Sequence, residues 1–478
     1  MAHVKRWQQA LYYKAPFWLK DLISSSYGWR QRHERYGTYY RDYLQRLSAS
    51  QWYTNAVLAE YQLAKVKQFL LHAQQHSPFY RARFWEYDFD PAKIQSLADI
   101  AALPTLSKAM LREHLPDVLT DNIKTMNVRW AHTSGTTGMG LQFPLSRECF
   151  QREYAFRAVH HAWAHFQPGD AFAYCSGHPV ASSDRHKSPF WVHDYASNWL
   201  LMSSYHLTEH NLPHYIDALE RFRPVILAGY PSSIYLLALA NQQAGQRVHP
   251  RAIFTESETL FEFQRHVIEQ SFGCKVFMSY GNSEMCAHIA ECDQGKYHLK
   301  LEYSYVELLD ANDRPVASGQ EGRMVCTAFG NDAMPLVRYR IEDVAIFAPV
   351  EATCACGHGG TLVEHVVGRA EDYVLTPDGR FVGRLDHLFK DTVHVKLAQI
   401  VQPKVDEVIL RIVKTPGYTS QDEHTILEQA RVRLGSAITI HSDYVDDIER
   451  TNNGKFRFIV SKIDKSTIDA TLQSMVRD

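Results

Sequence analysis

Short apolar segments recur between helical patterns in the middle of this chain, and their recurrence limits the possible folds more than any other feature. The segments are AFAYC at 171–175, VILAG at 225–229, RAIF at 251–254 and KVFMS at 275–279. Apolar runs of this length are typical of strands buried on both faces, and such strands alternating with helices favour a largely parallel sheet. The sequence therefore predicts an α/β fold class.

The regions on either side of these segments predict other kinds of structure. Residues 51–76 carry apolar side chains at the spacing of an amphipathic helix. After residue 300, strand and turn patterns such as YSYVELLDANDRPV indicate a β-rich subdomain. Beyond Arg369, two alternating segments surround a helical one and indicate a small α+β domain. We predict a large N-terminal α/β domain over residues 1–368 and a small C-terminal domain over 369–478.

Charge and cysteine content exclude several classes of protein. The 51 Lys and Arg against 53 Asp and Glu leave no overall field to attract nucleic acid or an anionic membrane. No run approaches the ~20 apolar residues of a membrane span, and charges interrupt any signal-peptide core near the N-terminus. Eight cysteines in 478 residues do not form a secreted disulfide scaffold. We expect a cytoplasmic protein with reduced thiols, no transmembrane segment and no nucleic-acid partner.

The N-terminal segment contains apolar side chains that could share one face of a helix. These are Trp7, Leu11, Trp18 and Leu22. Such a face binds either the body of its own protein or a membrane or partner surface. We expect it to dock onto the protein's own body.

The stretch HTSGTTGMG, residues 132–140, combines four hydroxyl side chains with three glycines. Glycine permits close backbone approach, and successive N–H groups and hydroxyls can converge on phosphate oxygens. The stretch is not the nucleotide P-loop, because Met139 and Gly140 stand where that motif needs lysine and a hydroxyl residue. Composition alone leaves two interpretations, a flexible hairpin loop and an anion clamp.

Four further motifs follow this loop in order. They are SYGNSE at 279–284, PLVRYRIED at 335–343, GRAED at 368–372 and RTNNGKFR at 450–457. Together the five segments resemble the adenylate-forming superfamily of acyl-CoA synthetases, most closely its phenylacetate-CoA ligase branch and the capsule-biosynthesis relatives of that branch. The resemblance covers nearly the whole chain. It implies activation of a carboxylic acid by ATP as acyl-AMP, followed by acyl transfer, commonly to coenzyme A.

The resemblance also implies roles for the loop and the second motif. The loop, with Thr136 among its catalytic residues, would close over the β- and γ-phosphates of ATP. Tyr280 would stack on adenine, and Glu284 would bind the Mg²⁺ that bridges the phosphates, since a hard cation favours carboxylate oxygen. The alternative for SYGNSE is a strand followed by a capped helix with a solvated glutamate. The other implied nucleotide-binding residues are Thr133, Ser134, Gly135, Thr137, Gly138, Gly281, Asn282, Ser283 and, less sharply, Ser257 and Glu258.

The third motif carries the implied ribose-binding residue. Asp343 matches the aspartate that accepts hydrogen bonds from both ribose hydroxyls. Relatives usually have Thr-Gly before this aspartate, whereas this chain has Ile341 and Glu342. Glu342 is therefore an alternative acceptor.

The last two motifs are implied to serve the small domain. Arg369 would contact the ribose or a phosphate, and Glu371 stands where relatives carry an acidic hinge residue. Lys455 matches the lysine that offsets charge on the carboxylate and α-phosphate during adenylation. The resemblance therefore predicts a mobile C-terminal domain. If the last motif is taken alone, the alternative is that Lys455 is an exposed residue of a turn.

Four residues form a candidate metal site next to these motifs. Cys292 and His298 form a Cys-x5-His pair, and Cys354 and Cys356 form a Cys-x-Cys pair. Three thiolates and one imidazole suit tetrahedral, structural Zn²⁺. Unligated reduced cysteines are the alternative, and the competing ligands are Cys286, His288 and His358.

The substrate is less constrained than the chemistry. His178, Tyr230, Pro231 and the segment FWVHDYASNW at 190–199 form either an apolar wall of an acyl pocket or part of the core. An aromatic acid is one candidate substrate. Alternatives to coenzyme A are an amine, a hydroxyl or a carrier-protein thiol, and a non-catalytic nucleotide-binding relative is the alternative to an enzyme. A homodimer is one candidate assembly.

Overall fold

The structure is a computed structural model of the 478-residue chain. It describes residues 11–132, 142–177, 180–181, 185, 187–207, 210–369, 374–377, 381–382, 385–389, 394–449 and 457–464. The chain divides into two compact units, one made of residues 1–260 and 267–366 and the other of residues 261–266 and 367–478. The domain boundary that we placed after residue 368 stays a prediction.

Eleven α-helices have both ends within the described ranges, and residues 11–14 are helical as well. Several begin as their sequences predict: the Thr54 side chain accepts a hydrogen bond from Val57 N, and the Ser146 side chain accepts one from Cys149 N. The helices are α1 (Phe17–Arg35), α2 (Thr38–Ser50), α3 (Asn55–His76), α4 (Pro78–Glu86), α5 (Lys108–Glu113), α6 (Leu115–Val118), α7 (Arg147–Ala162), α8 (Leu212–Phe222), α9 (Pro231–Gln243), α10 (Glu262–Phe272) and α11 (Ser420–Leu434).

The strands of the larger unit form a hairpin and a twelve-stranded sheet, counted over the described residues. The hairpin consists of β1 (Val128–His132) and β2 (Gln142–Ser146). The strands of the sheet are β3 (Phe172–Ser176), β4 (Trp191–Asp194), β5 (Trp199–Ser203), β6 (Ile226–Gly229), β7 (Ala252–Glu256), β8 (Val276–Gly281), β9 (His288–Glu291), β10 (Tyr297–Leu299), β11 (Tyr305–Leu309), β12 (Glu321–Ala328), β13 (Leu336–Phe347) and β14 (Thr361–Arg369).

The large sheet has a parallel part and an antiparallel part. Its strand order is β11-β12-β13-β14-β10-β9-β8-β7-β6-β3-β5-β4. The four apolar segments become β3, β6, β7 and β8, which are parallel to one another and to β5, so the α/β prediction is confirmed. The strands of the predicted β-rich region extend the same sheet through the antiparallel pair β8 and β9. A strand exposes backbone hydrogen-bonding groups at its edge, and antiparallel neighbours continue the ladder there.

In the described part of the smaller unit there are two sheets and one long helix. Its four-stranded sheet has the order β19-β18-β17-β20, and a two-stranded sheet pairs β15 with β16. Val408, Leu410 and Ile412 alternate along β18 and pack with Ile426 and Ala430 of α11. These strands are β15 (Val374–Leu375), β16 (Phe381–Val382), β17 (Val395–Lys404), β18 (Glu407–Lys414), β19 (Thr439–Tyr444) and β20 (Ile459–Ser461).

The N-terminal helix contacts the body with its polar face. Leu11, Trp18 and Leu22 are 65%, 65% and 56% exposed, so our prediction that they dock onto the protein's own body is wrong, and Trp7 lies outside the described residues. Instead, Asp21 accepts a hydrogen bond from the backbone N of His193, and Ser25 accepts one from that of Tyr195. These donors belong to β4 and the residue after it, at the edge of the sheet, so α1 satisfies an edge that would otherwise be unpaired. None of the helices in the described ranges has the length and apolar content needed to cross a membrane.

Candidate nucleotide site and metal centre

Two predicted nucleotide-binding segments lie side by side at the carboxyl ends of neighbouring strands in the large sheet. β7 and β8 are parallel neighbours, so their carboxyl ends point the same way. Ser257 and Glu258 follow β7, and Tyr280 and Gly281 end β8. The Glu258 carboxylate accepts a hydrogen bond of 3.2 Å from the backbone N of Ser232, in the first turn of α9. Ligands of open α/β sheets bind at the carboxyl ends of parallel strands.

The candidate adenine and ribose residues contact each other. The Tyr280 hydroxyl donates a hydrogen bond to the carboxylate of Asp343, which is buried on β13. Burial and the adjacent Asp343 charge raise the pKa of Tyr280 well above its ordinary value. The hydroxyl therefore stays protonated as a donor, and the hydrogen bond fixes the ring beside the carboxylate. The Glu342 side chain, the alternative acceptor, lies outside the described part of the chain.

Glu284 is buried between two partners that the sequence did not indicate. It is 7% exposed, accepts a hydrogen bond of 3.0 Å from the Tyr339 hydroxyl, and lies 3.7 Å from the Lys108 ammonium. Lys108 is the first residue of α5, where the Ser107 side chain accepts a hydrogen bond from Met110 N. The alternative of a solvated glutamate on a helix is wrong, because Glu284 is buried and β9 is the next element.

Asn282 has a donor without a partner. Its Oδ1 accepts a hydrogen bond of 2.8 Å from the backbone N of Cys286, which fixes the orientation of the amide. Its buried Nδ2 finds no hydrogen-bond partner among the residues that the structure describes. Buried polar groups in proteins are nearly always hydrogen-bonded, so this nitrogen is suited to a ligand. Gly281 and Ser283, its neighbours in the motif, are exposed.

Several predicted residues cannot be placed. The loop residues Thr133, Ser134, Gly135, Thr136, Thr137, Gly138, Met139 and Gly140 lie outside the described residues, as do His178, Glu371 and Lys455. Arg369 ends β14, but its side chain is outside the described part. The strands that flank the loop, β1 and β2, pair antiparallel with His132 opposite Gln142. The loop therefore connects the two strands of a hairpin.

The candidate acyl-pocket residues separate into two groups. Tyr230 and Pro231 follow β6, at the same edge as the nucleotide residues. Gly229 allows a close approach there, because a Cβ on it would lie 2.2 Å from the Cys175 carbonyl oxygen. The segment 190–199 instead forms β4 and the start of β5, and its Phe190 is fully buried against Tyr215. Part of that segment is therefore core.

The four predicted metal ligands converge. The ligand atoms of Cys292, His298, Cys354 and Cys356 all lie within 4.8 Å of one another. Cys292 Sγ is 3.7 Å from Cys354 Sγ, and Cys356 Sγ is 3.3 Å from His298 Nε2. Tetrahedral zinc with Zn–S bonds of about 2.3 Å separates two sulfurs by about 3.8 Å. The donor set and its spacing therefore fit zinc.

The competing ligands have other contacts. Cys286 is buried and contacts the Glu284 carbonyl through its thiol, and His288 stacks on Tyr303. His358 stacks on Trp163 at 4.3 Å, while its backbone N donates to Cys356 Sγ. His358 thus supports a ligand from outside the cluster, as residues around metal sites commonly do.

Local structure brings the cluster together. Cys292 lies in the turn of the β9–β10 hairpin, and His298 lies on β10. Cys354 and Cys356 lie in the connection between β13 and β14. β10 pairs with β14, so the two connections are adjacent. Burial raises the pKa of Cys356 to about 12 and lowers that of His298 to about 4. At pH 7, His298 is therefore a neutral imidazole, and Cys356 is a neutral thiol unless a cation compensates the charge of its thiolate.

Comparison with known proteins agrees with this geometry. Residues 374–462 match the CapK C-terminal domain model. The chain is 24% identical over 465 residues to Protein CapK of Staphylococcus aureus, covering 95% of this chain and 99% of that protein. It is 25% identical over 324 residues to phenylacetate-coenzyme A ligase of Thermus thermophilus, covering 65% of this chain and 70% of that enzyme.

A solved structure with the same fold covers most of the chain. It is 2-hydroxyisobutyryl-CoA ligase in the postadenylation state in complex with R3-HIB-AMP, with a TM-score of 0.67 and 18% identity. The alignment covers 90% of this chain and 94% of that structure. The protein is therefore a homologue of CapK and of the phenylacetate-coenzyme A ligases, and it has the fold of the acyl-CoA ligases of the adenylate-forming superfamily.

Proposed function

We propose that this protein activates a carboxylic acid with ATP, releases pyrophosphate to form acyl-AMP, and transfers the acyl group to coenzyme A. One observation carries the proposal. Tyr280 and Glu284 come from one motif at the carboxyl end of β8, and both contact β13, where Tyr280 donates to Asp343 and Glu284 accepts from Tyr339. Homology to ATP-dependent acid ligases supports the same chemistry.

Each group of residues at the candidate site is proposed to contact a different part of ATP. The Tyr280 ring offers a face to adenine while its hydroxyl is held by Asp343, whose carboxylate accepts from the ribose. Asn282 Nδ2 offers a further donor. Thr133, Ser134, Gly135, Thr136, Thr137 and Gly138 donate to phosphate oxygens in this proposal, and Gly281, Ser283, Ser257, Glu258 and Arg369 complete the nucleotide contacts.

Glu284 would hold Mg²⁺. Its buried carboxylate supplies the oxygen ligand that a hard cation favours, so the residue fits the ion. Bound magnesium offsets phosphate charge. The Tyr339 hydroxyl keeps one carboxylate oxygen oriented at 3.0 Å.

Lys108 is proposed as a second cation at the phosphates. The loop of this chain has Met139 and Gly140 where many relatives have a lysine. The Lys108 ammonium lies 3.7 Å from the carboxylate proposed to bind magnesium, and 28% of its side chain is exposed. A positive charge held there is within reach of an anion that shares the site. The position compensates for the missing loop lysine.

Replacing Lys108 by alanine is expected to slow acid-dependent ATP–pyrophosphate exchange at least about tenfold, approaching the ~10²–10³ typical of a preorganised donor. The KM for ATP should rise, because phosphate contacts are lost. Steady-state exchange at varied ATP measures both effects. Lys124→Ala removes an exposed lysine from the same unit and should leave exchange unchanged. Unchanged kinetics in Lys108→Ala would exclude this role.

Zinc is proposed as a structural cross-link at Cys292, His298, Cys354 and Cys356. The four donors fill a tetrahedral shell and leave no position for substrate, which is typical of structural sites. Bound zinc fixes the β9–β10 hairpin to the connection between β13 and β14. β13 carries Asp343 and Tyr339, so the cross-link also supports the nucleotide site.

The acceptor has a specific alternative to coenzyme A. CapK matches 95% of this chain, whereas the Thermus ligase matches 65%, and residues 374–462 match the CapK model. The similarity in the smaller unit thus favours CapK over the thioester-forming relatives. An amine, a hydroxyl or a carrier-protein thiol would then receive the acyl group. A non-catalytic nucleotide-binding protein is the second alternative.

Acid-dependent ATP–pyrophosphate exchange tests the function. We expect exchange with at least one member of a panel of aromatic, aliphatic and hydroxylated acids. Adding coenzyme A or amines to the active acid, and measuring AMP release, then distinguishes the acceptors. Lack of exchange across the panel, with ATP still bound, would favour the non-catalytic alternative and refute the ligase proposal.

A further inference from the structure

Helix α1 carries an apolar stripe on the side that faces away from the protein. Trp18, Leu22 and Trp29 are separated by four and seven residues, which places them on one helix face. They are 65%, 56% and 62% exposed. The residues of α1 that are buried, Lys20, Gly28 and Gln31, lie between about 100° and 180° from Trp29 around the helix. Among the residues that the structure describes, the stripe is therefore an exposed surface of a helix that is itself firmly placed.

Polar contacts along one flank of the stripe hold α1 against the body. Asp21 and Ser25 accept hydrogen bonds from the backbone at β4. At Gly28, a Cβ would lie 2.0 Å from the Asp194 carboxylate, so the helix backbone packs directly against the side chain of this β4 residue. Rotating α1 to bury the stripe would break these contacts. Large exposed apolar patches on a fixed element mark an interaction surface.

Charges around the stripe indicate what covers it. Residues 11–35 contain five Lys and Arg but only two Asp and Glu; Lys14, Arg30 and Arg32 are exposed, whereas Lys20 is buried. Arg30 and Arg32 follow Trp29 by about 100° and about 300° around the helix, so they flank the stripe on both sides. Both are exposed. Asp21 is turned towards β4, Glu34 pairs with Arg30 at 3.0 Å and offsets part of its charge, and Arg32 donates a hydrogen bond to the Ala196 carbonyl oxygen.

We propose that α1 lies in the surface of an anionic lipid bilayer, with Trp18, Leu22 and Trp29 inserted among the lipid chains and headgroups. Tryptophan favours the interface between water and lipid, and a basic amphipathic helix binds anionic lipids through both apolar burial and charge. A second copy of this chain is a poorer occupant, because an isologous contact would place two basic segments against each other. The enzyme would thus work at a membrane surface without spanning it.

Vesicle co-sedimentation of the full-length protein tests this proposal. We expect binding to vesicles of equal phosphatidylglycerol and phosphatidylcholine, and much weaker binding to phosphatidylcholine alone or at high salt. The triple variant Trp18→Ser, Leu22→Ser, Trp29→Ser should lose at least about tenfold in partitioning, because each side chain contributes apolar area. Trp85→Ser is the matched control, since Trp85 is 90% exposed but lies on α4.

Other outcomes would overturn the proposal. Equal binding of the triple variant and the wild type would show that the stripe does not mediate binding. Equal binding to neutral and anionic vesicles would remove the charge argument. A wild-type dimer that the triple variant dissociates, without vesicle binding, would assign the stripe to a second copy. Thermal unfolding checks that the triple variant folds. If the triple variant does not fold, the single variant Trp18→Ser is tested in its place, and we expect a smaller loss of vesicle partitioning from it.

Discussion

Replacing Lys455 by alanine is expected to reduce adenylation by about 10²–10³-fold, the loss typical of one preorganised charge contact. Transfer of the acyl group from supplied acyl-AMP should survive. The physical reason is that adenylation develops charge on the α-phosphate as pyrophosphate departs, whereas acyl transfer from acyl-AMP involves no pyrophosphate. ATP–pyrophosphate exchange measures the first step, and AMP release from synthetic acyl-AMP with the acceptor measures the second.

Lys462→Ala is the matched control for this experiment. Lys462 is exposed in the same smaller unit and follows β20, and no nucleotide-binding role is proposed for it. We expect both half-reactions to proceed at the wild-type rate in this variant. Equal loss of both half-reactions in Lys455→Ala would contradict the proposed division of labour, and unchanged exchange would exclude Lys455 from adenylation altogether.

Local periodicity was sufficient to predict the parallel strands. Segments such as VILAG are apolar throughout because β6 is covered on both faces, and all four of its residues are buried. The same type of signal separated the strands of the smaller unit from α11. Periodicity could not show that the antiparallel strands after residue 300 continue the large sheet, because strand order depends on pairing between segments that are distant in the sequence.

The surroundings of Glu284 depended on contacts between distant parts of the chain. The sequence motif identified Glu284, but its partners Lys108 and Tyr339 come from α5 and β13. Each is an ordinary residue in its local context, a lysine after a helix cap and a tyrosine in a strand. Only the packing of three elements reveals that a lysine lies beside the carboxylate. The absence of a lysine after the loop was the one available signal that a cation had to come from elsewhere.

The orientation of α1 was wrongly predicted for a physical reason. An apolar stripe normally faces the core, and that rule led us to expect Trp18 and Leu22 against the body. The rule fails here because the neighbouring structure is a strand edge with unpaired backbone N–H groups at His193 and Tyr195. Side-chain oxygens satisfy those groups better than an apolar face does. Sequence patterns show that a helix has two faces, but the neighbour decides which face is buried.

Removing one zinc ligand is expected to have the largest effect on stability. In Cys354→Ser we expect zinc to be lost from a protein that otherwise binds one equivalent, and the larger unit to lose about 4 kcal/mol or more of unfolding free energy, as loss of a structural metal typically does. The buried donors Cys292 and His298 would then remain without the cation that compensates them. Elemental analysis and thermal unfolding, with and without a chelator, measure both quantities.

Cys274→Ser separates this effect from the general cost of changing a cysteine. Cys274 is a partly buried free thiol outside the cluster, and burial raises its pKa to about 12, so it remains a neutral thiol. A serine there removes a sulfur without removing a metal ligand, and zinc content should stay at one equivalent. Because β13 connects the metal centre to Asp343, Cys354→Ser should also weaken ATP binding, whereas the control should not. The zinc proposal would be refuted if the wild-type protein contains no zinc and if Cys354→Ser and Cys274→Ser unfold at the same temperature.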